Sequence, residues 1–185
     1  SDLVHEYTGV TSSLWTYTAW QYIPAGFTGE SYFILLNQYD DAGATNNWST
    51  QVNFNGTTNQ VVNDGPAAGT LPLVRGQWME IRVEIDLDAD TQSFYYGGDL
   101  LFTGSWTNGM SGGGILNIGA VDLWGNYSSA VYYDEMSLVE VVPQVCDSPS
   151  DIPWVSVAPT SGTTPADGSD TVDVTFDTAG LTLSL

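Results

Sequence analysis

Three acidic residues at alternating positions are the first candidates for catalysis in the sequence. Glu84, Asp86 and Asp88 are separated by single aliphatic residues, so an extended strand would place all three carboxylates on one face. A retaining glycosidase uses two carboxyl groups about 5–5.5 Å apart, one as nucleophile and one as general acid. Side chains four positions apart on a flat strand are farther from each other than this. Two interpretations stay open, a catalytic site and a charged strand face in water, and the sequence favours the second.

The same segment offers a candidate calcium site. Asp86, Asp88 and Asp90 alternate like the first ligands of a calcium-binding loop. The loop is not an EF-hand, because Thr91 and Gly97 stand where an EF-hand needs glycine and a bidentate glutamate. An acidic turn can still bind Ca²⁺ together with neighbouring loops, so Asp88 and Asp90 are predicted metal ligands.

Aromatic rings beside amide side chains are the second kind of chemistry in the sequence. Sugar rings stack on exposed aromatic faces, and their hydroxyl groups exchange hydrogen bonds with amides and carboxylates. Gln51 and Asn53 alternate along one predicted strand and supply such amides. The alternative at each aromatic position is packing in the core. The candidate ligand-binding residues are Trp20, Tyr39, Trp48, Gln51, Asn53, Trp124 and Tyr127.

Composition excludes several other functions. His5 is the only histidine and lies alone at the start of the chain, so we expect no Ser-His-Asp triad. A single histidine and a single cysteine, Cys146, do not supply the ligands of a zinc site. It carries 22 acidic residues against two arginines, for a net charge of −20. Such a surface repels nucleic acid and anionic lipid, and no apolar run reaches the roughly 18 residues of a membrane-spanning helix. We expect a glycan or cell-surface polymer as the partner, and an extracellular location.

Alternation of apolar and polar residues predicts an all-β chain. In residues 79–88 aliphatic side chains occupy one face and charged side chains the other. Asn55-Gly56 predicts a hairpin turn. Many short strands without helical periodicity predict an antiparallel β-sandwich. The predicted strands span residues 3–8, 14–23, 31–39, 48–54, 60–63, 79–88, 93–96, 115–124, 131–141, 154–158 and 171–177.

Alternation also assigns the strand faces. Within residues 48–54, the two faces are Trp48, Thr50, Val52 and Phe54 against Ser49, Gln51 and Asn53. The residues expected to be buried are Trp78, Met79, Ile81, Val83, Ile85, Phe94, Ile118 and Leu138.

Two segments resemble a known fold family. "GQWMEIRVEIDLDADTQSFYYGGDLL" (residues 76–101) is similar to the central hairpin of concanavalin A-like and laminin-G-like jelly rolls, and "VYYDEMSLVEV" (131–141) to their last strand. The resemblance covers residues 1–142 and implies a jelly-roll sandwich, a fold that serves lectins, glycosidases, adhesins and spacers alike.

The resemblance also implies roles for individual residues. Residues 84–88 look like the "E-I-D-I-E" strand of laminarinase-type glycosidases, which implies Glu84 as nucleophile, Asp86 as its support and Asp88 as general acid. Carbohydrate-binding jelly rolls often hold a structural calcium ion with an acid of the last strand, which implies Asp134 as a metal ligand.

The composition changes at Pro143. Residues 143–153 are predicted to be a linker, and residues 154–185 resemble the start of a small immunoglobulin-like domain of bacterial secreted proteins, with only its first strands. We expect Cys146 to be unpaired in this chain or bridged to another. Similar modules follow catalytic domains in large secreted bacterial proteins, including subtilisin-like proteases, and both ends of the chain are expected to be incomplete.

These observations predict a non-catalytic extracellular β-sandwich module of a larger secreted or surface protein, which binds a glycan or cell surface or acts as a spacer. One alternative is a structural subunit of an extracellular filament, in which the C-terminal strands complete a neighbouring subunit. The other is a laminarinase-like glycosidase that uses Glu84, Asp86 and Asp88.

Overall fold

The computed structural model describes residues 2–142, 154–164, 166 and 168–177. Every regular secondary-structure element in these residues is a β-strand. They are β1 (Asp2–Glu6), β2 (Leu14–Tyr22), β3 (Glu30–Gln38), β4 (Asn47–Asn55), β5 (Gln60–Asn63), β6 (Thr70–Pro72), β7 (Trp78–Asp86), β8 (Thr91–Tyr96), β9 (Asp99–Ser105), β10 (Ala120–Asn126), β11 (Tyr132–Glu140), β12 (Val155–Ala158) and β13 (Asp173–Phe176).

The strands form two large antiparallel sheets and one small one. The six-stranded sheet has the order β1-β10-β3-β4-β5-β6, and the five-stranded sheet the order β11-β2-β7-β8-β9. Every strand pair is antiparallel. Chain contacts divide the protein into two units, residues 1–142 and 143–185, and both large sheets belong to the first. The prediction of an all-β antiparallel sandwich is confirmed.

The core of the first unit lies between the inner faces of the two sheets. Alternate residues of β3 and β4 face alternate residues of β2, β7 and β8, as the pleat of a strand requires. Phe33 and Phe94 meet edge to face across the sheets, with ring centroids 5.9 Å apart. Trp106 is wholly buried among these side chains.

A buried glutamine joins the two sheets. Gln92 on β8 donates through Nε2 to the carbonyl oxygens of Ser49 (2.7 Å) and Ser105 (2.9 Å). Its Oε1 accepts a hydrogen bond from the Thr50 hydroxyl at 2.5 Å. All polar atoms of this side chain are therefore satisfied inside the core, which is how a buried amide avoids its desolvation penalty.

Some sequence predictions for the first unit are wrong. Trp78 is 45% exposed, because it precedes Met79 in the alternation and faces outward with Glu80. Residues 115–119 are not part of a strand, since the Ile115 amide bonds the Asn37 side chain and β10 starts only at Ala120. Strands β6 and β9 were not predicted. Ile81, Val83, Ile85, Phe94 and Ile118 are buried as expected, and Met79 and Leu138 are partly buried.

A β-bulge changes the predicted faces of β4. Leu35 pairs with Thr50 and the next residue, Leu36, pairs with Trp48, so Ser49 is an extra residue in β4. Ser49 is buried, and its hydroxyl accepts a hydrogen bond from Asn37. Trp48 consequently lies on the face of Gln51 and Asn53, not on the face of Thr50.

The second unit contains the hairpin of β12 and β13, with Val155 opposite Phe176 and Val157 opposite Val174. All four residues of β13 are exposed, and Phe176 is 64% exposed. The predicted linker 143–153, with Cys146, lies outside the described residues, as do residues 178–185. No helix in the described parts of the chain is long and apolar enough to span a membrane.

Candidate functional site

Polar and aromatic side chains lie on the outer face of the six-stranded sheet, in rows that run across the strands. One row runs Trp124, Tyr32 and Asn53 on β10, β3 and β4, and the next runs Asn126, Glu30 and Asn55 on the same strands. Because directly opposite residues of antiparallel strands have adjacent Cβ atoms, these six side chains form one continuous surface.

Glu30 lies at the centre of this surface and accepts hydrogen bonds from four neighbours. Its Oε1 accepts from the amides of Asn55 (2.8 Å) and Asn53 (3.4 Å). Its Oε2 accepts from the amide of Asn126 (2.9 Å) and the hydroxyl of Tyr32 (3.2 Å). The Asn126 bond is the main reason that the pKa of Glu30 is lowered, because donors stabilise the charged form. The carboxylate is thus ionised and fixed in orientation at neutral pH.

An aromatic pair borders the Glu30 network. The Trp124 and Tyr32 rings stack with centroids 4.7 Å apart and planes 30° from parallel. Burial raises the pKa of Tyr32 to about 12, so its hydroxyl stays protonated and available as a donor. It also accepts a hydrogen bond from the Asn53 amide at 3.0 Å. Tyr32 is buried and Trp124 half-buried, so part of the indole remains open to a ligand.

An apolar cluster continues the surface along the strands. Its buried part consists of Ile34, Leu36 and Ala120 together with Tyr32, and Val4 and Trp48 pack against it. Trp48 reaches this cluster only because the bulge at Ser49 turns it outward. The β4 bulge therefore brings an aromatic side chain to the same face as the Glu30 network.

Asp122 adds a second carboxylate to the surface. It lies opposite Ile34 on β3 and Val4 on β1. Its Oδ1 is buried without a hydrogen-bond partner among the described residues. Burial, with a smaller contribution from Asp2, raises the pKa of Asp122 to about 6, because an apolar neighbourhood disfavours the charged form.

Most of the predicted ligand-binding residues meet on this face. The face carries four of them, Trp48, Gln51, Asn53 and Trp124. The Gln51 side-chain amide also donates a hydrogen bond to the Asp64 carboxylate at 3.0 Å. Tyr39 packs against the edge of the apolar cluster.

Two predicted ligand-binding residues lie elsewhere. Trp20 is on the outer face of the other sheet, between Asp134 and Glu80. Tyr127 follows β10 in a loop and is 97% exposed, with a positive φ of 50°.

The three candidate catalytic carboxylates each bond a separate neighbour. Glu84 pairs with Arg82 and accepts a hydrogen bond from the Tyr95 hydroxyl at 3.3 Å. Asp86 accepts from the Ala89 amide (2.8 Å), which closes the turn after β7. Asp88 lies beyond the strand, in that turn, and accepts from the Ser13 amide at 3.2 Å. Interactions within the fold therefore account for all three.

The candidate metal ligands Asp90 and Asp134 also accept hydrogen bonds within the fold. Asp90 accepts hydrogen bonds from the Thr107 amide (2.8 Å), the Thr107 hydroxyl (2.9 Å) and the Ser105 hydroxyl (3.0 Å). Burial alone would raise the pKa of Asp90, but these bonds outweigh it and the pKa is lowered. Asp134 accepts from the adjacent Glu135 amide at 2.8 Å. The described residues contain no group of three or more His, Cys, Asp or Glu side chains suited to a metal ion.

Sequence reasoning missed the centre of the site. Asn55 continues the alternation of Gln51 and Asn53, so one more step along the predicted strand would have found it. Asn126 reaches the site through the non-local pairing of β10 with β3. Glu30 and Tyr32 lie on β3, which pairs with the next strand, β4, but nothing in their own segment indicates the register that places them opposite Asn55 and Asn53.

Comparisons with known proteins agree with this fold. No protein-family model and no curated protein matches the sequence. Among solved structures, 75% of the chain superposes on a sialidase with a TM-score of 0.54 and 5% identity. A fructosyltransferase from A. japonicus is matched over 77% of the chain with a TM-score of 0.50 and 12% identity. The chain spans only 14% of the sialidase and 26% of the fructosyltransferase. At these identities the likeness shows a shared β-sandwich fold alone.

Proposed function

We propose that residues 1–142 form a non-catalytic carbohydrate-binding module, and that the outer face of its six-stranded sheet binds a neutral glycan. The observation that carries this proposal is the Glu30 network beside the Trp124–Tyr32 stack. A carboxylate held by amides, next to an aromatic ring, offers both kinds of contact that a sugar uses.

The fixed geometry of the network supports recognition of hydroxyl groups. Asn53, Asn55 and Asn126 are already held by Glu30, so little side-chain entropy is lost when a ligand binds. The net charge of −20 favours a neutral glycan over an anionic one, because like charges repel at long range.

The module is proposed to be non-catalytic because each of the candidate catalytic carboxylates is engaged by a different neighbour in the fold. A glycosidase needs an acid and a nucleophile or base on opposite sides of one bond. Glu84, Asp86 and Asp88 each interact with the fold itself, and Glu30 is surrounded by hydrogen-bond donors.

Binding to immobilised polysaccharides tests the proposal. We expect the protein to bind at least one of the neutral polymers laminarin, levan and galactan. The anionic polymer polygalacturonate should not bind. Trp124→Ala and the isosteric Glu30→Gln should each weaken the binding about 10-fold, which corresponds to about 1.4 kcal/mol. Leu100→Ala, an exposed residue of β9, is the matched control and should bind normally. Binding that survives both site variants, with unchanged melting temperatures, would contradict the proposal.

The setting of the module is also part of the proposal. An acidic, lysine-free surface suits an extracellular module of a larger secreted or surface protein. Structural calcium remains a prediction for Asp134, and a calcium-dependent rise in melting temperature that Asp134→Asn abolishes would support it.

Self-association is a second candidate function for the C-terminal unit. Its specific support is the exposed apolar surface of the β12–β13 hairpin, where Val172, Val174 and Phe176 are each more than half exposed. Strand pairing with another copy would cover this surface and its backbone edges. Light scattering tests this idea, with a variant that ends at Val142 as the comparison. We expect assemblies from the full chain and a monomer from the shorter one, and the same oligomeric state for both would contradict the candidate.

A further inference from the structure

A small pocket opens on the outer face of the five-stranded sheet, on the opposite side of the sandwich from the proposed glycan site. Its volume is about 200 Å³, and Trp20, Trp78, Asp134 and Glu135 line it. Two indole rings and two carboxylates therefore surround one space. Trp20 is a predicted ligand-binding residue and Asp134 a predicted metal ligand, and the fold brings the two side chains to the same pocket.

Strand register explains how the pocket forms. Trp20 on β2 lies between Asp134 on β11 and Glu80 on β7. Trp78 is diagonal to Trp20 on β7, and it packs against Tyr22, with ring centroids 5.5 Å apart. This contact restrains the Trp78 indole where it lines the pocket.

A bulge in β11 supplies the acidic side of the pocket. The register shifts between Asp134 and Ser137, and Glu135 adopts a positive φ of 47°. That conformation is uncommon for a residue with a side chain. It places two consecutive acidic residues beside the same pair of indoles, where regular alternation would put them on opposite faces.

The arginine nearest in register does not neutralise these acids. Arg82 is two positions from Glu80 on β7, but its guanidinium lies 3.9 Å from the Tyr95 ring centroid and pairs with Glu84. The only other arginine, Arg75, bonds backbone carbonyls of Phe27 and Gly56. The pocket thus combines aromatic faces with negative charge that no arginine compensates.

We propose that this pocket binds a quaternary ammonium cation. The face of an indole ring is negative and attracts a cation, most strongly where water is excluded. A quaternary ammonium has no N–H groups that need acceptors, so apolar and electrostatic contacts are enough to bind it. Asp134 and Glu135 supply the long-range attraction, and Trp20 and Trp78 supply the contact surface.

The negative charge of the pocket also limits which quaternary ammonium compounds it can bind. A cation that carries its own nearby anion, such as phosphocholine, brings that anion next to two carboxylates and a surface of net charge −20. We therefore expect a free alkylammonium such as choline to bind better than phosphocholine. A neutral molecule of the same shape keeps the apolar contacts but loses the cation–π attraction.

Nitrogen-15 NMR of the indole N–H groups tests the proposal. The protein is titrated at constant ionic strength with choline, with its neutral isostere 3,3-dimethylbutan-1-ol, with phosphocholine and with CaCl₂. Choline should give saturable shifts of the Trp20 and Trp78 indoles. A loss of about 1.4 kcal/mol of cation–π and charge attraction makes the isostere about 10-fold weaker. Trp20→Ala and Asp134→Asn should each reduce choline affinity at least several-fold, and Tyr127→Ala, an exposed aromatic away from the pocket, should not.

Several results would overturn the proposal. Equal affinity for the isostere would show an apolar site, and calcium that displaces choline and binds as well to Trp20→Ala would show a metal site. If choline causes no saturable shift of the Trp20 and Trp78 indoles, the pocket does not bind a quaternary ammonium cation. Each result concerns only the five-stranded sheet, so glycan binding to Glu30 and Trp124 is tested separately and can succeed or fail by itself.

Discussion

Replacing Asp122 by asparagine should stabilise the protein at neutral pH. Asp122 keeps one carboxylate oxygen buried without a partner among the described residues, beside the apolar cluster of the six-stranded sheet. Burial raises its pKa to about 6 from the ordinary value of 3.8. Asparagine has nearly the same shape and carries no charge to desolvate.

The direction of the pH dependence follows from linkage. The folded protein binds the Asp122 proton more tightly than the unfolded chain does, so the contribution of Asp122 to the free energy of unfolding is highest below about pH 4. It falls as the pH rises from about 4 to 6 and stays lower above that range. The difference between the folded and unfolded pKa values corresponds to about 3 kcal/mol. Water around the partly accessible carboxylate reduces this effect to about 1–2 kcal/mol.

Urea unfolding of Asp122→Asn and the parent protein, followed by tryptophan fluorescence, measures this effect. We expect the variant to be about 1–2 kcal/mol more stable at pH 7.5 and nearly equal to the parent at pH 3.5. Asp99→Asn, at an exposed position of β9, controls for the general reduction of negative charge. Equal stabilisation by both variants, or an Asp122→Asn protein less stable at pH 7.5, would refute the reasoning.

Three further predictions concern the fold and use the same unfolding assay. Gln92→Leu should cost about 2–4 kcal/mol, because three groups that Gln92 bonds in the core lose their partner; a loss below about 1 kcal/mol would contradict the bonding. Arg75→Lys should cost about 1–3 kcal/mol, since lysine cannot bond four separate acceptors with a planar fork, and an unchanged midpoint would disprove that role. Trp78→Ala should cost less than about 1 kcal/mol and Ile81→Ala about 2–5 kcal/mol, and the reverse order would show that the faces of β7 are wrongly assigned.

The sequence predicts those parts of the fold that depend on local alternation. Residues 79–88 predict β7 and its inward aliphatic face almost completely, and Asn55-Gly56 predicts the β4–β5 hairpin. The same alternation places Trp78 on the outer face with Glu80, so the prediction that Trp78 is buried did not follow from the pattern. The short strands β6 and β9 carry little alternation of their own and depend on their neighbours for pairing.

The candidate site is less predictable because it depends on non-local pairing. Gln51, Asn53, Trp48 and Trp124 could be chosen by residue type, but their common face depends on the Ser49 bulge and on β10 pairing with β3. Neither is visible in the sequence. The acidic residues Glu84, Asp86, Asp88 and Asp90 are all hydrogen-bonded within the fold, which their spacing in the sequence does not indicate.

Mapping a bound neutral oligosaccharide by NMR tests the central claim most directly. The oligosaccharide is derived from whichever of laminarin, levan and galactan the protein binds. The account predicts that shifts concentrate on the side-chain amides of Asn53, Asn55 and Asn126 and on the Trp124 indole, and that the Trp20 and Trp78 indoles stay unchanged. Shifts centred on the five-stranded sheet, or no binding to any of the three polymers, would contradict the claim that the Glu30 surface is a glycan site.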